Sequence, residues 1–221
     1  MAYTNGQKGP NADCPAVGVL PLNGTPATVR TAITNMVADG GTNIHEGTAW
    51  GFRALSPTVP FTEGKPYDAA TAKVMIVMTD GENTAYSNSR GNDELNRMDD
   101  LNGSAYFSAY GFPFNSRNND GRTSSTGNIE RLGSMTASNA DLVTEMNTRT
   151  VQACANAKAE GITVYTIGLA TADTSNPTVV RKMLTDCAST TDKAYFPAQP
   201  SELKSVFLAI AGQLAALRLA Q

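Results

Sequence analysis

Two short stretches carry residue types with the makings of a reactive or binding centre: Gly40-Gly41-Thr42-Asn43-Ile44 and Thr79-Asp80-Gly81. A Thr42 hydroxyl and an Asp80 carboxylate brought together would suit a hard divalent cation such as Mg²⁺, which takes oxygen ligands in octahedral array. Two side chains are too few for such an ion, so further oxygens must come from elsewhere. Each residue also has a plainer role, Thr42 as a helix cap and Asp80 as a turn acid. Other chemistry is poorly supported. His45-Glu46 hints at a zinc-protease helix, but Ala49 stands where a second His is required. With one His and no nucleophile elbow, a Ser-His-Asp hydrolase lacks its parts. A run from Ser116 through Asn118 and Asp120 to Gly121 looks like a calcium loop, yet its twelfth position is Gly127 rather than an acid.

The elements that must position Thr42 and Asp80 are legible around them. Residues 74–78 are an unbroken apolar run, too short for an ordinary helix and rich in branched side chains, which predicts a strand buried on both faces. Asp80 then stands at its C-terminal end, the edge at which open α/β sheets bind ligands. Gly81 lets the backbone turn there. Thr42 and Asn43 open a helix predicted over 44–55 and ended by Ser56-Pro57, with a Pro/Gly loop over 56–71 leading to the strand.

Upstream, the apolar run 16–22 predicts a strand. Thr25 and Pro26 supply an N-cap and a first-position proline for an amphipathic helix carrying Val29, Ile33, Met36 and Val37, stopped by Gly40. Downstream come a helix over 139–160, a β-branched strand over 162–168, a helix over 177–187 and a short strand over 194–196. A last helix runs from Ser201, with Leu203, Val206, Phe207, Ile210, Leu214 and Leu217 on one stripe. Alternating helices and strands predict a doubly wound, mainly parallel sheet with helices on both faces. Residues 84–136 are irregular, dense in Asn, Ser, Gly and Asp, and studded with Tyr106, Phe107, Tyr110, Phe112 and Phe114. Loops this long inside a domain tend to be functional.

The chain has 221 residues, a length compatible with one larger α/β domain. A net charge of -3 without any Lys/Arg cluster argues against a nucleic-acid surface. No apolar run approaches the roughly 20 residues of a membrane span, and the N-terminus lacks a signal-peptide pattern. Of three cysteines, Cys154 and Cys187 flank the strand at 162–168 and either pair across it or serve as buried thiols.

At Gly-Gly-Thr42-Asn-Ile-x-x-Gly47 and Met78-Thr-Asp80-Gly-Glu-Asn83 the sequence resembles von Willebrand factor type A domains, matching two of their three metal-site motifs. The stretch from Thr42 to Pro57, the strand at 162–168 and the tail Leu214-Ala-Ala-Leu-Arg-Leu219 are similar to TadG-like proteins of tight-adherence (Flp) pilus assembly. The resemblance implies a von Willebrand A-like domain over 1–221 with an insertion at 84–136. It also implies a metal-ion-dependent adhesion site, in which a cation leaves one position open for a partner's carboxylate. By position Thr42 is the family's threonine and Asp80 its third-motif aspartate. No Asp-x-Ser-x-Ser loop follows an apolar strand, so the chain reads as lacking the family's first strand and first motif, with its membrane anchor expected ahead of them.

The resemblance implies a binding module, not an enzyme, acting in pilus assembly at the bacterial envelope on its extracytoplasmic, periplasmic side. Its partners would be pilus or envelope proteins offering a carboxylate. That location favours a Cys154–Cys187 disulfide and leaves Cys14 for the missing segment. Partner-facing residues are expected where the insertion leaves the metal edge, at Glu82 and Asn83, and at Tyr106, Tyr110 and Phe112 within it; these aromatics would otherwise form a small satellite core. The competing readings are a metal-free scaffold and a hydrolase using His45, Glu46 and Asp80.

Overall fold

The computed structural model describes residues 17–38, 41–68, 71–85, 110, 114–115, 129–130, 132 and 138–219. Its contacts divide the chain into two compact units, one made of Met1–Glu46 and Asn83–Thr148, the other of Gly47–Glu82 and Arg149–Gln221.

The second unit holds a parallel sheet of order β1-β4-β5, formed by β1 (Val74–Thr79), β4 (Thr163–Gly168) and β5 (Ala194–Tyr195). β4 is central, and Val164, Tyr165, Thr166 and Ile167 are wholly buried in it. Its two faces are covered by different helices. Tyr165 and Ile167 pack with Ile210 of α5 (Leu203–Leu219), joined by Leu203, Val206 and Leu214 from the same helix. On the other face the Thr166 hydroxyl donates to the Leu184 carbonyl of α4 (Pro177–Cys187) at 3.0 Å. Gly168 is needed at the end of this face. A Cβ there would lie 2.7 Å from Thr171 Cγ2 and 2.8 Å from Leu184 Cδ1, closer than real contacts allow.

α3 (Asn139–Ala159) begins in the first unit and ends in the second. Ser138 is its cap: the Ser138 hydroxyl accepts from the Asp141 amide, while Asp141 Oδ2 accepts from the Ser138 amide and hydroxyl, a reciprocal capping box. These two donors hold the Asp141 carboxyl below its ordinary range. At the other end Gly161, at φ +76°, closes a Schellman pair in which Ile162 N–H donates to Ala157 and Gly161 N–H to Lys158. The disulfide that the resemblance favoured is present. Cys154 of α3 and Cys187 of α4 are bonded with their Cα atoms 5.1 Å apart, and both residues are fully buried.

Lys73, just before β1, is buried as well. Its ammonium donates to the Leu55 carbonyl at 2.7 Å and to the Lys65 carbonyl, and lies 3.8 Å from the Tyr67 ring centre. It therefore satisfies the C-terminal end of α2 (Ile44–Leu55) and ties the 56–68 loop to it, as a cation at a helix C-terminus should.

Several expectations need correction. Residues 17–22 are not a strand; Val19 and Leu22 are exposed and Pro21 removes a ladder donor. α1 (Pro26–Thr34) starts where Thr25 and Pro26 direct but ends before Met36 and Val37, and it buries none of its residues. β1 is not buried on both faces. It lies at the end of the β1-β4-β5 sheet, and Ile76 and Met78, in register with Tyr165 and Ile167, are 38% and 45% exposed because the α5 cluster contacts β1 only at Val74. Within 84–136 an antiparallel pair joins β2 (Phe114–Asn115) to β3 (Ile129–Glu130).

Candidate functional site

Thr42 is half-buried on the loop ahead of α2, but it is not the cap of that helix. Asn43 is. Its Oδ1 accepts the Glu46 amide at 2.9 Å, three residues on, which is the N-cap pattern. The signal was present in the sequence as Asn43 followed at the third place by Glu46, a relative of the capping box. The next helix donor, the Ile44 amide, is taken by Asn83 Oδ1 at 2.7 Å, while Asn83 Nδ2 donates to Asn147 Oδ1 at 2.8 Å. The Thr42 carbonyl accepts the Thr84 amide at 2.9 Å. Asn83 and Thr84 thus clamp the backbone on both sides of Asn43, and the Thr42 side chain is left out of the capping.

Asn83 was expected to face a partner, and the structure places it elsewhere. It is 1% exposed, and its amide is engaged on both ends inside the first unit. Tyr110 is half-buried and belongs to the satellite core, packing on the cluster of Leu132, Leu142 and Met146. Its ring stacks on His45 at 5.5 Å between centres, and its hydroxyl lies 2.8 Å from His45 Nδ1 and 3.2 Å from Asn43 Oδ1. Sequence reasoning missed this contact because nothing local links positions 45 and 110. Tyr106 and Phe112 lie outside the described residues.

In the second unit Asp80 is exposed on the turn after β1. The turn is held by its neighbour: buried Thr79 uses its hydroxyl to accept the Gly81 amide and to reach the Gly81 carbonyl, both at 3.1 Å. Such a hydroxyl-closed turn fixes the backbone without using the Asp80 carboxylate. Glu82 is half-buried, with Asn176 Nδ2 3.5 Å from its Oε2. Thr42 belongs to the first unit and Asp80 to the second. Among the described residues no group of three or more His, Cys, Asp or Glu side chains is placed to hold a metal. The Thr42 hydroxyl and the Asp80 carboxylate are each an oxygen donor of the kind that Mg²⁺ takes and a soft metal does not.

The β1-β4-β5 sheet is parallel and carries helices on both faces, an α/β arrangement. No family model matches the sequence, and no curated protein sequence matches it. Two solved structures are similar. One is the vWF domain of the type V pili tip protein Mfa5 from Porphyromonas gingivalis, 15% identical with a TM-score of 0.49, over 86% of this chain and 73% of that one. The other is the pilus adhesin SpaC from Lactobacillus rhamnosus GG, 16% identical with a TM-score of 0.48 over 85% of this chain. This chain spans 20% of the length of that adhesin. Among the described residues no helix is long and apolar enough to cross a membrane.

Proposed function

We propose that the chain is a non-enzymatic protein-binding module whose contact with its partner runs through a divalent cation, Mg²⁺ by preference, held by Thr42 and Asp80. The partner is a pilus or envelope protein that supplies a carboxylate, and the setting is Flp-type pilus assembly on the extracytoplasmic side of the envelope. One observation carries the reading. The segment that follows the Asp80 turn, Asn83 and Thr84, is the one that fixes the Thr42 loop, through the Ile44 amide and the Thr42 carbonyl. A loop whose cap is supplied by Asn43 and whose backbone is pinned from outside keeps the Thr42 hydroxyl for a ligand. Thr42 would offer its hydroxyl and Asp80 its carboxylate; the cation would supply positive charge to a partner's carboxylate.

The buried Cys154–Cys187 bond supports the oxidising compartment, since such bonds persist outside the reducing cytosol. A hydrolase built on His45 is disfavoured by the sequence, which has Ala49 where a zinc helix needs a second His and carries no nucleophile elbow. The test is titration calorimetry with Mg²⁺ on the chain, on Asp80→Ala and on Thr42→Ala. Binding should be weak, because two protein ligands replace little of the ion's tightly held water. Either substitution should abolish it. Tight one-to-one binding that survives Asp80→Ala would overturn the assignment.

A further inference from the structure

β1 is the outermost strand of its sheet, and the phase of its ladder shows which of its backbone groups face outward. Two bonds set that phase: Thr163 N–H donates to the Lys73 carbonyl at 3.0 Å, and Leu169 N–H to the Thr79 carbonyl at 2.9 Å. Successive residues of a strand aim their backbone groups alternately to either side, so Lys73, Met75, Val77 and Thr79 serve β4. The N–H and C=O groups of Val74, Ile76 and Met78 point the other way, where no strand among the described residues meets them. Proteins usually blunt such an edge with a lysine, a proline or a bulge. The strand from Val74 to Thr79 carries no charge and no proline.

The side chains beside that edge are open as well. Ile76 and Met78 are 38% and 45% exposed on the α5 face, while Met75 and Val77 are buried on the opposite one. α5 turns an apolar flank toward them. Its Gln213 accepts from the Tyr165 hydroxyl at 2.9 Å and donates to the Tyr195 hydroxyl at 3.1 Å, so that side of the helix faces β5. On a helix of about 3.6 residues per turn, Phe207 and Gln213 stand roughly 60° to either side of Ile210. Phe207, 43% exposed, is therefore on the β1 side. Strand edge, strand face and helix flank make one apolar strip.

We propose that this strip is a dimer surface, on which a second copy of the chain adds its own β1 antiparallel, with Ile76 facing Ile76 and Val74 facing Met78. About a two-fold axis perpendicular to the sheet, each strand offers the three N–H and three C=O groups of Val74, Ile76 and Met78 to the other, so six hydrogen bonds close together. Ile76 and Met78 of both copies fall on one face. The two α5 helices, each seated on its own β4, lie three strand spacings or about 14 Å apart. That is wider than the roughly 8–10 Å of touching helices, and Phe207 of each copy fills the gap. Charge sets the direction of pairing. Antiparallel strands bring the exposed Asp80 at the end of each β1 toward the start of the other, where the Lys73 ammonium is a fixed charge held by the Leu55 and Lys65 carbonyls. Parallel strands would set like ends together. Six hydrogen bonds stand on the low side of the roughly 10 ± 5 of an ordinary interface, so the dimer is a reversible one. It uses neither Thr42 nor a cation.

The experiment uses the full chain. Sedimentation equilibrium should show the mass rising from one chain to two with concentration. Amide exchange over the same range gives the residue-level readout. Ile76 and Met78 amides should slow as the dimer fills, while Met75, Val77 and Thr79 amides, already bonded to β4, should not change. Ile76→Lys sets two ammonium groups face to face on the two-fold axis and should raise the dissociation constant at least about tenfold. Ile76→Glu alone should do the same, and an equal mixture of the two variants should recover the dimer as a heterodimer. Slow exchange at Val164 and Ile167 shows that each variant is folded; should either unfold, the wild-type mass and exchange decide. A single-chain mass at every concentration would overturn the proposal. So would a dimer whose Ile76 and Met78 amides exchange as freely as in the monomer, or amides already slow in the monomer, which would mean that another stretch of the chain covers this edge.

Discussion

Opening the Cys154–Cys187 bond should destabilise the second unit by an amount that can be worked out in advance. The bond closes a loop of sequence separation 33, within which lie the whole of β4 and most of α4. Loop-closure entropy for a ring of that size corresponds to about 3.7 kcal/mol at 25 °C. For a chain of this length that is a fall of roughly 7–15 °C in melting temperature. Both cysteines are fully buried, so Cys154→Ala with Cys187→Ala adds a small packing loss to the entropy. The cleaner perturbation is reduction of the unaltered protein with a phosphine. Urea unfolding can be followed by the single tryptophan, Trp50, which lies in the same unit as both cysteines. The expected result is a midpoint that falls on reduction, with a denaturant slope that rises modestly as the unfolded chain expands. Equal midpoints in oxidised and reduced samples would refute the argument. So would mass mapping that finds both thiols free in protein made in an oxidising compartment.

Two further outcomes concern buried groups of the second unit. Lys73→Met should cost about 1–3 kcal/mol, because the Leu55 and Lys65 carbonyls lose their donor inside the protein, and the 56–68 loop should become the first site of proteolytic cleavage. The same residue sets a pH signature. Burial holds the Lys73 ammonium below its ordinary 10.5, against the opposing pull of Asp68 and Glu160, so the unfolded chain binds this proton more tightly than the folded one. Stability should therefore rise as pH climbs from the folded value to 10.5, and Lys73→Met should flatten that rise in chemical unfolding measured at several alkaline pH values. Gly168→Ala should cost roughly 1–3 kcal/mol through the overlap of its Cβ with Thr171 and Leu184, measured as a lowered urea midpoint at constant slope.

How far the sequence could be read depended on whether a feature was specified locally or by distant partners. α2 and α4 begin and end where expected, over Ile44–Leu55 and Pro177–Cys187, because their signals sit on the chain itself: Asn43 with Glu46 at one start, Pro177 at the other. The Schellman stop at Gly161 is of the same kind. Failures occurred where burial depended on neighbours. The apolar composition of β1 predicted two covered faces, but composition cannot say how far α5 reaches, and Ile76 and Met78 are exposed because its cluster meets β1 at Val74 and not at them.

Asn83 shows the limit most plainly. Standing three residues after Asp80, it looked like part of a partner-facing rim. Its carboxamide instead joins the Ile44 amide, 39 residues away in sequence, to Asn147, 64 residues away. Neither partner carries a local mark of the contact. An amide offers both a donor and an acceptor on a rigid fork, so a single buried Asn can satisfy a helix N-terminus with one end and a second helix with the other. A carboxylate at this position could accept from Ile44 but could not donate to Asn147 Oδ1, and would be left charged among buried groups. The residue type is therefore dictated by internal geometry as strictly as Thr42 or Asp80 would be by a cation, and a motif that includes all three mixes two different physical causes.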